Sequence, residues 1–392
     1  MSAVPSPGPR PLVAMISKPV VPPWNDSAKN IVKDQARYAD HYDYRLLTTR
    51  DTSLASDRVT CCPIYPSGGT FAAGVWQNLR VMLHGLRPNG AALYHYFFAP
   101  NPKTALAGRL QTRLAGVPSV QTVCSRPASF AHSARLLFTD RVIALSEDTR
   151  QGFVDAGIDP ARIVHIRPGI APIDPPTPEQ RRERRYAFGF NDGPLVIFPG
   201  DYEFSTAART VAAAAPDLLE ACPGVTLVFA CRIKRKASAA IQADIQRRLA
   251  PLGQRVRYIN QVDDMPAFVG MADVVIMPAE SLYAKMDVPL VLLEAMSQQV
   301  PVVLADVAPL SELLAFQPGL GVPPQNPGAL TQAITDLLRQ SEAAAQYGEN
   351  GRRAVLTHFN DRAMAQQVEA VYDELLAARG HDPQSRNPKD AP

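Results

Sequence analysis

Short apolar runs recur along the chain, separated by stretches with helical spacing. In the first half, Leu12–Ile16, Ala91–Phe98, Ser119–Val123, Arg141–Ala144 and Ile163–Ile166 have the length of buried strands. In the second half so do Leu195–Phe198, Thr226–Ala230, Val256–Tyr258, Val274–Met277 and Pro301–Leu304. Between them Ser205–Ala221, Ala237–Leu252, Leu292–Gln298 and Ala329–Gln340 read as helices, and another is expected from about Ala28, capped by Ser27 or Asp26. Strands alternating with helices predict parallel βαβ units. The expected fold class is therefore α/β, with two Rossmann-like doubly wound domains facing a cleft. Ligands of such sheets bind outside the carboxyl ends of the strands.

Prolines mark the boundaries. The chain has 37 of them, and the densest interruption, RPGIAPIDPPTP from Arg167 to Pro178, is followed by the charged run EQRRERR. This predicts an N-terminal domain over 1–175, a linker over 176–193 and a C-terminal domain over 194–360. Ser67-Gly68-Gly69 reads as an ordinary turn, and the stretch 380–392 has no periodicity and is expected to be disordered.

Length and composition narrow the function classes. A chain of 392 residues is long enough for two cores, and 46% hydrophobic content with a net charge of +3 excludes disorder as the main state. Forty basic against 37 acidic residues leave no surplus for a nucleic-acid-binding face. The five cysteines show no repeated C-x-x-C spacing, which argues against a disulfide scaffold or a structural zinc site and favours a reducing compartment. The N-terminal segment lacks the cationic start and long apolar centre of a signal peptide, and no run approaches the ~18–20 apolar residues of a membrane span. A soluble, cytoplasmic protein is expected, with room for peripheral contact at the inner face of the membrane.

The most informative stretch runs from Pro278 to Asp306, PAESLYAKMDVPLVLLEAMSQQVPVVLAD. It reads as a strand end, an irregular loop, a helix opening near Pro289 and a turn into the next buried strand. A helix that begins at the carboxyl edge of a sheet offers free N–H groups and a partial positive charge to a diphosphate. Glu294 sits in that helix among apolar neighbours. It fits a carboxylate holding a ribose diol, and it equally fits a helix-favouring residue facing solvent.

This segment resembles the signature of the retaining GT-B glycosyltransferases of family four, in which two glutamates bracket a Pro-Leu-rich turn. On that alignment Glu294 is the second glutamate, which holds the nucleotide ribose, with Leu292 and Leu293 beside it. Met286 stands where the first, sugar-contacting glutamate belongs. The resemblance continues over Asn260–Pro278 and Arg141–Ile170, and implies that the last helix, within 361–379, crosses back to the first domain. It also implies a GT-B fold. The implied activity is transfer of a sugar from a nucleoside-diphosphate sugar to an acceptor hydroxyl with retention of configuration, in polysaccharide or glycolipid assembly.

Departures from the family pattern locate the remaining candidates. Members carry Gly-Arg after the first strand of the second domain and a lysine soon afterwards. Here Gly200 is followed by Asp201-Tyr202-Glu203, and both cations are missing. After the next strand comes Cys231-Arg232-Ile233-Lys234-Arg235-Lys236, so Arg232, with Lys234 or Lys285, is the expected replacement that neutralises the leaving diphosphate; a solvated basic turn is the alternative. The first loop of the N-terminal domain, with Trp24, Asp26, Ser27 and Lys29, and the histidine-bearing strand, with His95, are candidates for the acceptor or phosphate side. For His95 a satisfied core histidine is the competing reading. Where the family has an active-site histidine the chain has Cys124 or Ser125; no base is evident beside Cys124, so a cysteine nucleophile is rejected.

No Asp-x-Asp, His-x-x-x-His or Cys/His cluster occurs. The expectation is therefore a metal-independent enzyme without a cofactor, whose leaving-group charge is met by cations and helix N-termini. Two other classes remain in view: a non-catalytic nucleotide-sugar-binding protein on the same fold, and a nucleotide-sugar epimerase, for which no acid/base pair stands out. Lys103, Arg109 and Arg113 lie on one predicted amphipathic helix, a solvated face or a rest for anionic lipid.

Overall fold

The computed structural model describes residues 10–379 apart from 25, 39, 51–53, 67–76, 78, 79, 82, 83 and 85–89. The Ser67-Gly68-Gly69 turn and the tail from residue 380 lie outside the described residues. The chain divides into two compact units, Met1–Pro168 with Asp361–Pro392, and Gly169–Asn360.

Among the described residues the first unit has seven parallel strands: β1 Leu12–Ile16, β2 Asp43–Thr48, β3 Val59–Pro63, β4 Ala91–Phe97, β5 Ser119–Thr122, β6 Arg141–Ala144 and β7 Ile163–His165. Their spatial order is β3-β2-β1-β4-β5-β6-β7. The direction of winding reverses between β1 and β4, the switch point of a doubly wound sheet. β2 escapes the apolar-run reading for a physical reason. The inward residues of and beside β2 are Tyr42 and Tyr44, whose rings are buried while their hydroxyls donate to Asp373 and Glu369, the latter at 2.9 Å. Both acids sit on the helix Asp361–Ala377, which returns to this unit and packs beside the helix Ser27–Arg37. Gln35 donates to the hydroxyl of Tyr372 at 2.5 Å in the same contact.

The second unit has six parallel strands: β8 Leu195–Phe198, β9 Thr226–Phe229, β10 Val256–Tyr258, β11 Val274–Met277, β12 Val302–Ala305 and β13 Gly319–Val322. Their order is β10-β9-β8-β11-β12-β13. β8, β9, β11 and β12 are buried at every position, as a parallel sheet covered on both faces requires. The edge strand β13 carries glycines where the others carry Val or Ile. A Cβ at Gly319 would lie 1.8 Å from the carbonyl oxygen of Val302, so close backbone approach takes the place of side-chain packing.

The expected linker over 176–193 is corrected. A capping box between Thr177 and Gln180 starts the helix Pro178–Ala187, and this helix is clamped onto the second unit. Arg185 is buried, donates to the Met271 carbonyl (2.9 and 2.8 Å) and pairs with Asp273 at 2.7 Å; Arg181 reaches Asp273 at 2.9 Å. Asp273 also accepts from Leu195 N at 2.6 Å, which ties the helix to the start of β8. The basic run looks solvated in sequence because its partners lie about ninety residues away. The proline-rich stretch before it is held as well: Ile173 N donates to Ser297 Oγ at 2.7 Å and Arg352 to the Ile173 carbonyl at 2.7 Å. The division between units accordingly falls at 168/169 rather than at 175/176.

Among the described residues no helix is long and apolar enough to cross a membrane.

Candidate functional site

In the second unit the winding reverses between β8 and β11, so the loops leaving these two strands flank the switch point, with the loop after β9 next to them. Side chains knit the three loops together. Asp201, after β8, accepts from the backbone N–H of Glu203 (2.7 Å) and Phe204 (2.6 Å) through Oδ1, and its Oδ2 pairs with Lys285 from the loop after β11. Burial pushes the Asp201 carboxyl up, but the Lys285 ammonium and the two N–H groups outweigh it and hold the carboxyl below its ordinary value. Glu280, also after β11, accepts from Thr206 N at 2.7 Å, which places a carboxylate at the start of the helix Ala207–Ala221. From the β9 loop, Arg235 pairs with Glu203 at 2.9 Å and lies over the Phe204 ring at 5.0 Å; Phe204 in turn meets Tyr283 edge-on, with centroids 6.3 Å apart.

The helix Leu290–Ser297 opens out of the β11 loop with Pro289 at its cap position. Its register is fixed by Gln298, which donates to the Pro266 carbonyl (2.8 Å) and the Glu294 carbonyl (3.1 Å), and by the Ser297–Ile173 contacts. Glu294 is half-buried on this helix. Leu292 and Leu293 have no exposed surface, so as nucleotide contacts they are corrected: their side chains are core, because a helix against a sheet buries the positions on either side of the one that faces out. Met286 and Asp287 are buried in the preceding loop. Gly200 is required by its own strand, since a Cβ there would lie 2.0 Å from the ring of Phe198, which is itself fully buried.

Within the basic run, Arg232 is exposed and makes no hydrogen bond or ion pair with a described residue. The cation that joins the β8 loop is Arg235, and the acids that organise the site are Asp201, Glu203 and Glu280. Sequence reading missed these three as site residues. The signal available for Glu280 was an acid three residues beyond the carboxyl end of a buried strand. Cys231 is buried at the end of β9, and burial pushes its thiol up to about 12, which leaves it protonated and inert.

In the first unit, Asp26 caps the helix Ser27–Arg37 by accepting from Ala28 N at 3.0 Å, and it pairs with Lys18 at 2.9 Å. Burial raises its carboxyl; Lys18 and the N–H groups of Lys29 and Ala28 bring it below the usual range. Lys29 donates to the Val21 carbonyl at 3.0 Å, Asn30 to the Trp24 carbonyl at 3.2 Å, and Lys33 stands 5.0 Å over the Trp24 ring. Trp24, Asp26, Ser27 and Lys29 thus form one braced loop at the carboxyl end of β1. His95 is corrected. It has no exposed surface, and its ring nitrogens meet the Tyr372 hydroxyl at 2.6 Å and Thr122 Oγ1 at 2.7 Å. Burial lowers its pKa to about 3, so it is a neutral core histidine and is unavailable to a substrate.

A cavity of about 430 Å³ lies in the second unit at the opposite, amino ends of the strands, lined by Pro194, Asp273, Pro301, Arg181 and Leu337 among others. Its charged groups are the Arg181–Asp273 pair that clamps the helix Pro178–Ala187, so it belongs to the scaffold. Among the described residues no group of His, Cys, Asp and Glu is placed to hold a metal ion.

Comparison with known proteins places this arrangement. Residues 193–340 match the family model described as Glycosyl transferases group 1. A GDP-mannose-dependent alpha-(1-6)-phosphatidylinositol monomannoside mannosyltransferase of Mycolicibacterium smegmatis is 28% identical over 249 residues, covering 61% of this chain and 63% of that protein. The chain therefore spans a little under two thirds of that relative. An alpha-maltose-1-phosphate synthase of the same organism is 28% identical over 309 residues, covering 70% of this chain and 77% of the relative. Among solved structures, Anabaena HepE in complex with UDP and glucose superposes with a TM-score of 0.73 at 16% identity, covering 93% of this chain and 100% of that one. At that identity the likeness is one of fold, and the fold is GT-B.

Proposed function

We propose, starting from a chain whose residues 193–340 form a glycosyl transferases group 1 domain, that it transfers a sugar from a nucleoside-diphosphate sugar to an acceptor hydroxyl in glycolipid or polysaccharide assembly, with retention of anomeric configuration. The observation that carries this reading is the switch point of the second unit. There the loops after β8, β9 and β11 bring Lys285, Arg235 and the opening of the helix Leu290–Ser297 to one edge of the sheet, with half-buried Glu294 on that helix. Cations and free helical N–H groups suit a diphosphate, and a carboxylate suits the ribose diol. The GDP-mannose dependence of the mannosyltransferase and the UDP held by HepE support the same donor class.

In this reading Glu294 anchors the ribose, and Lys285 and Arg232 meet the diphosphate. Lys285 shares its charge between Asp201 and the ligand. Arg232, exposed and without a partner among the described residues, is free to approach it. The β-phosphate oxygen accepts the proton of the acceptor hydroxyl as the sugar leaves, so no strong protein base is required, and the cations stabilise the charge that develops on the leaving group. Neither a metal nor a cofactor is assigned a role. The loop Trp24–Lys29 of the first unit is the proposed acceptor contact.

A second reading has its own observation. Met286, buried and apolar, stands where the family carries its sugar-contacting glutamate, which fits a protein that binds nucleotide sugars without turning them over. Calorimetric titration with UDP, GDP and ADP in the absence of magnesium, on the wild type and Glu294→Ala, tests the site. Binding of one nucleotide, lost in the variant, is the expected result; binding of none overturns the donor site. Donor binding with no transfer to any acceptor selects the second reading.

A further inference from the structure

The helix Pro102–Ala115 of the first unit has two faces of opposite character. The inner face is fixed. Ala105 and Gln111 are buried, Gln111 Oε1 accepts from the Tyr96 hydroxyl at 3.1 Å, and Gly108 lies so close to Phe138 that a Cβ would come within 2.2 Å of its ring. Asn101 caps the start by accepting from Thr104 N at 3.0 Å. The helix cannot roll about its axis without losing these contacts.

What this leaves outside is a stripe. Leu106, Leu110 and Leu114 are 74%, 46% and 63% exposed and follow one another at four-residue steps along one face. Single exposed leucines are ordinary; three in register on one helix are not. The charges on the helix itself have one sign. The helix carries Lys103, Arg109 and Arg113 and neither Asp nor Glu. Arg109 is braced by the Arg135 carbonyl, Arg135 is itself exposed, and Arg379 donates to the Gly116 carbonyl at 2.7 Å just past the helix end. Asp140 pairs with Arg379 at 3.8 Å.

We infer that this face docks flat on an anionic lipid bilayer, the three leucines entering the acyl boundary and the arginines and lysine lying at the level of the phosphates. A rigid helix about 21 Å long with an apolar stripe between cations has the pattern of an interfacial helix. A second copy is the poorer occupant, because a two-fold contact would set Lys103 and Arg113 against their own equivalents with no acid on the helix to answer them. The inference does not rest on the sugar-transfer reading and survives its failure.

The test is co-sedimentation of the full chain with vesicles of phosphatidylcholine alone and of phosphatidylcholine with about 30 mol % phosphatidylglycerol. The wild type should partition onto the anionic vesicles only. Partition should fall about tenfold or more in Leu106→Ser/Leu110→Ser/Leu114→Ser and in about 0.5 M NaCl. The leucines are exposed, so that variant should keep the wild-type melting temperature; Lys103→Glu/Arg113→Glu is a second variant with the same expected loss. Absence of wild-type partition, partition unchanged in both variants, or a wild-type dimer that the leucine variant dissociates would overturn the inference.

Discussion

Lys285 and Asp201 form an ion pair that joins the loop after β11 to the loop after β8, with both side chains more than three-quarters buried. The acid stands one residue past Gly200, and the cation comes from across the switch point. Lys285 is thus held in position by a carboxylate that also competes for its charge.

That competition gives opposite signs to two substitutions. Lys285→Met should weaken nucleoside-diphosphate binding about tenfold, the scale of one charge-assisted bond. Asp201→Asn keeps an acceptor for the N–H groups of Glu203 and Phe204 while releasing the lysine, and should tighten binding a few-fold. Titration of both variants with the same nucleotide checks this; weakening in both would mean that Asp201 shapes the loop without competing.

The same pair predicts an acid sensitivity. The Asp201 carboxyl lies below its ordinary value in the folded protein, so its stabilisation is present above the unfolded pKa of about 3.8 and is lost as pH falls through the folded value. Denaturant midpoints measured between pH 5 and 3 should fall less steeply for Asp201→Asn than for the wild type.

His95 predicts a second pH effect, with a different origin and a larger size. Its folded pKa of about 3 lies below the unfolded 6.5, so its contribution is complete above 6.5 and declines as pH falls from there toward 3. Between pH 6.5 and 5 the loss is ~2 kcal/mol. His95→Gln should flatten that slope in urea unfolding while lowering stability at neutral pH. If the slope survives the substitution, another buried group carries it.

Glu280 acts as a cap supplied from another strand's loop. Glu280→Ala leaves Thr206 N without its acceptor and removes a negative charge from a helix N-terminus, at a cost of about 1–2 kcal/mol. Glu280→Gln, which keeps the bond, should recover most of it in thermal unfolding.

Gly200→Ala is predicted to destabilise by about 1–3 kcal/mol, because its Cβ would overlap the buried Phe198 ring. Phe198→Leu in the same chain should relieve part of that loss, so the two changes together cost less than their sum. Additivity would show that the ring does not impose the glycine.

How much was legible in the sequence follows from how each element is stabilised. β1 and β6 announce themselves because a parallel sheet covered on both faces needs unbroken apolar runs. β2 is hidden because its neighbourhood is buried through tyrosines whose hydroxyls need acids from the helix Asp361–Ala377, and no local pattern records partners more than three hundred residues away. The helix Pro178–Ala187 is hidden for the same reason, its arginines answering Asp273 and the Met271 carbonyl. At the candidate site the residue types were readable and the pairings were not. The basic run after β9 was visible, but Arg235 rather than Arg232 is the member that reaches the β8 loop, a distinction set by where the helix Lys236–Leu249 begins. Asp26 could be read as a cap, whereas the burial of His95 depends on Tyr372 arriving from the far end of the fold.

That arrival has a consequence for biogenesis. Gln35, Tyr42, Tyr44 and His95 each take a polar partner from the helix Asp361–Ala377, yet the whole of Gly169–Asn360 is translated in between. A ribosome therefore releases a second unit able to close on its own before the first can be completed. Until then the tyrosine hydroxyls and the imidazole stay open to water, and the first unit matures after the second, reversing the usual N-to-C order of domain maturation.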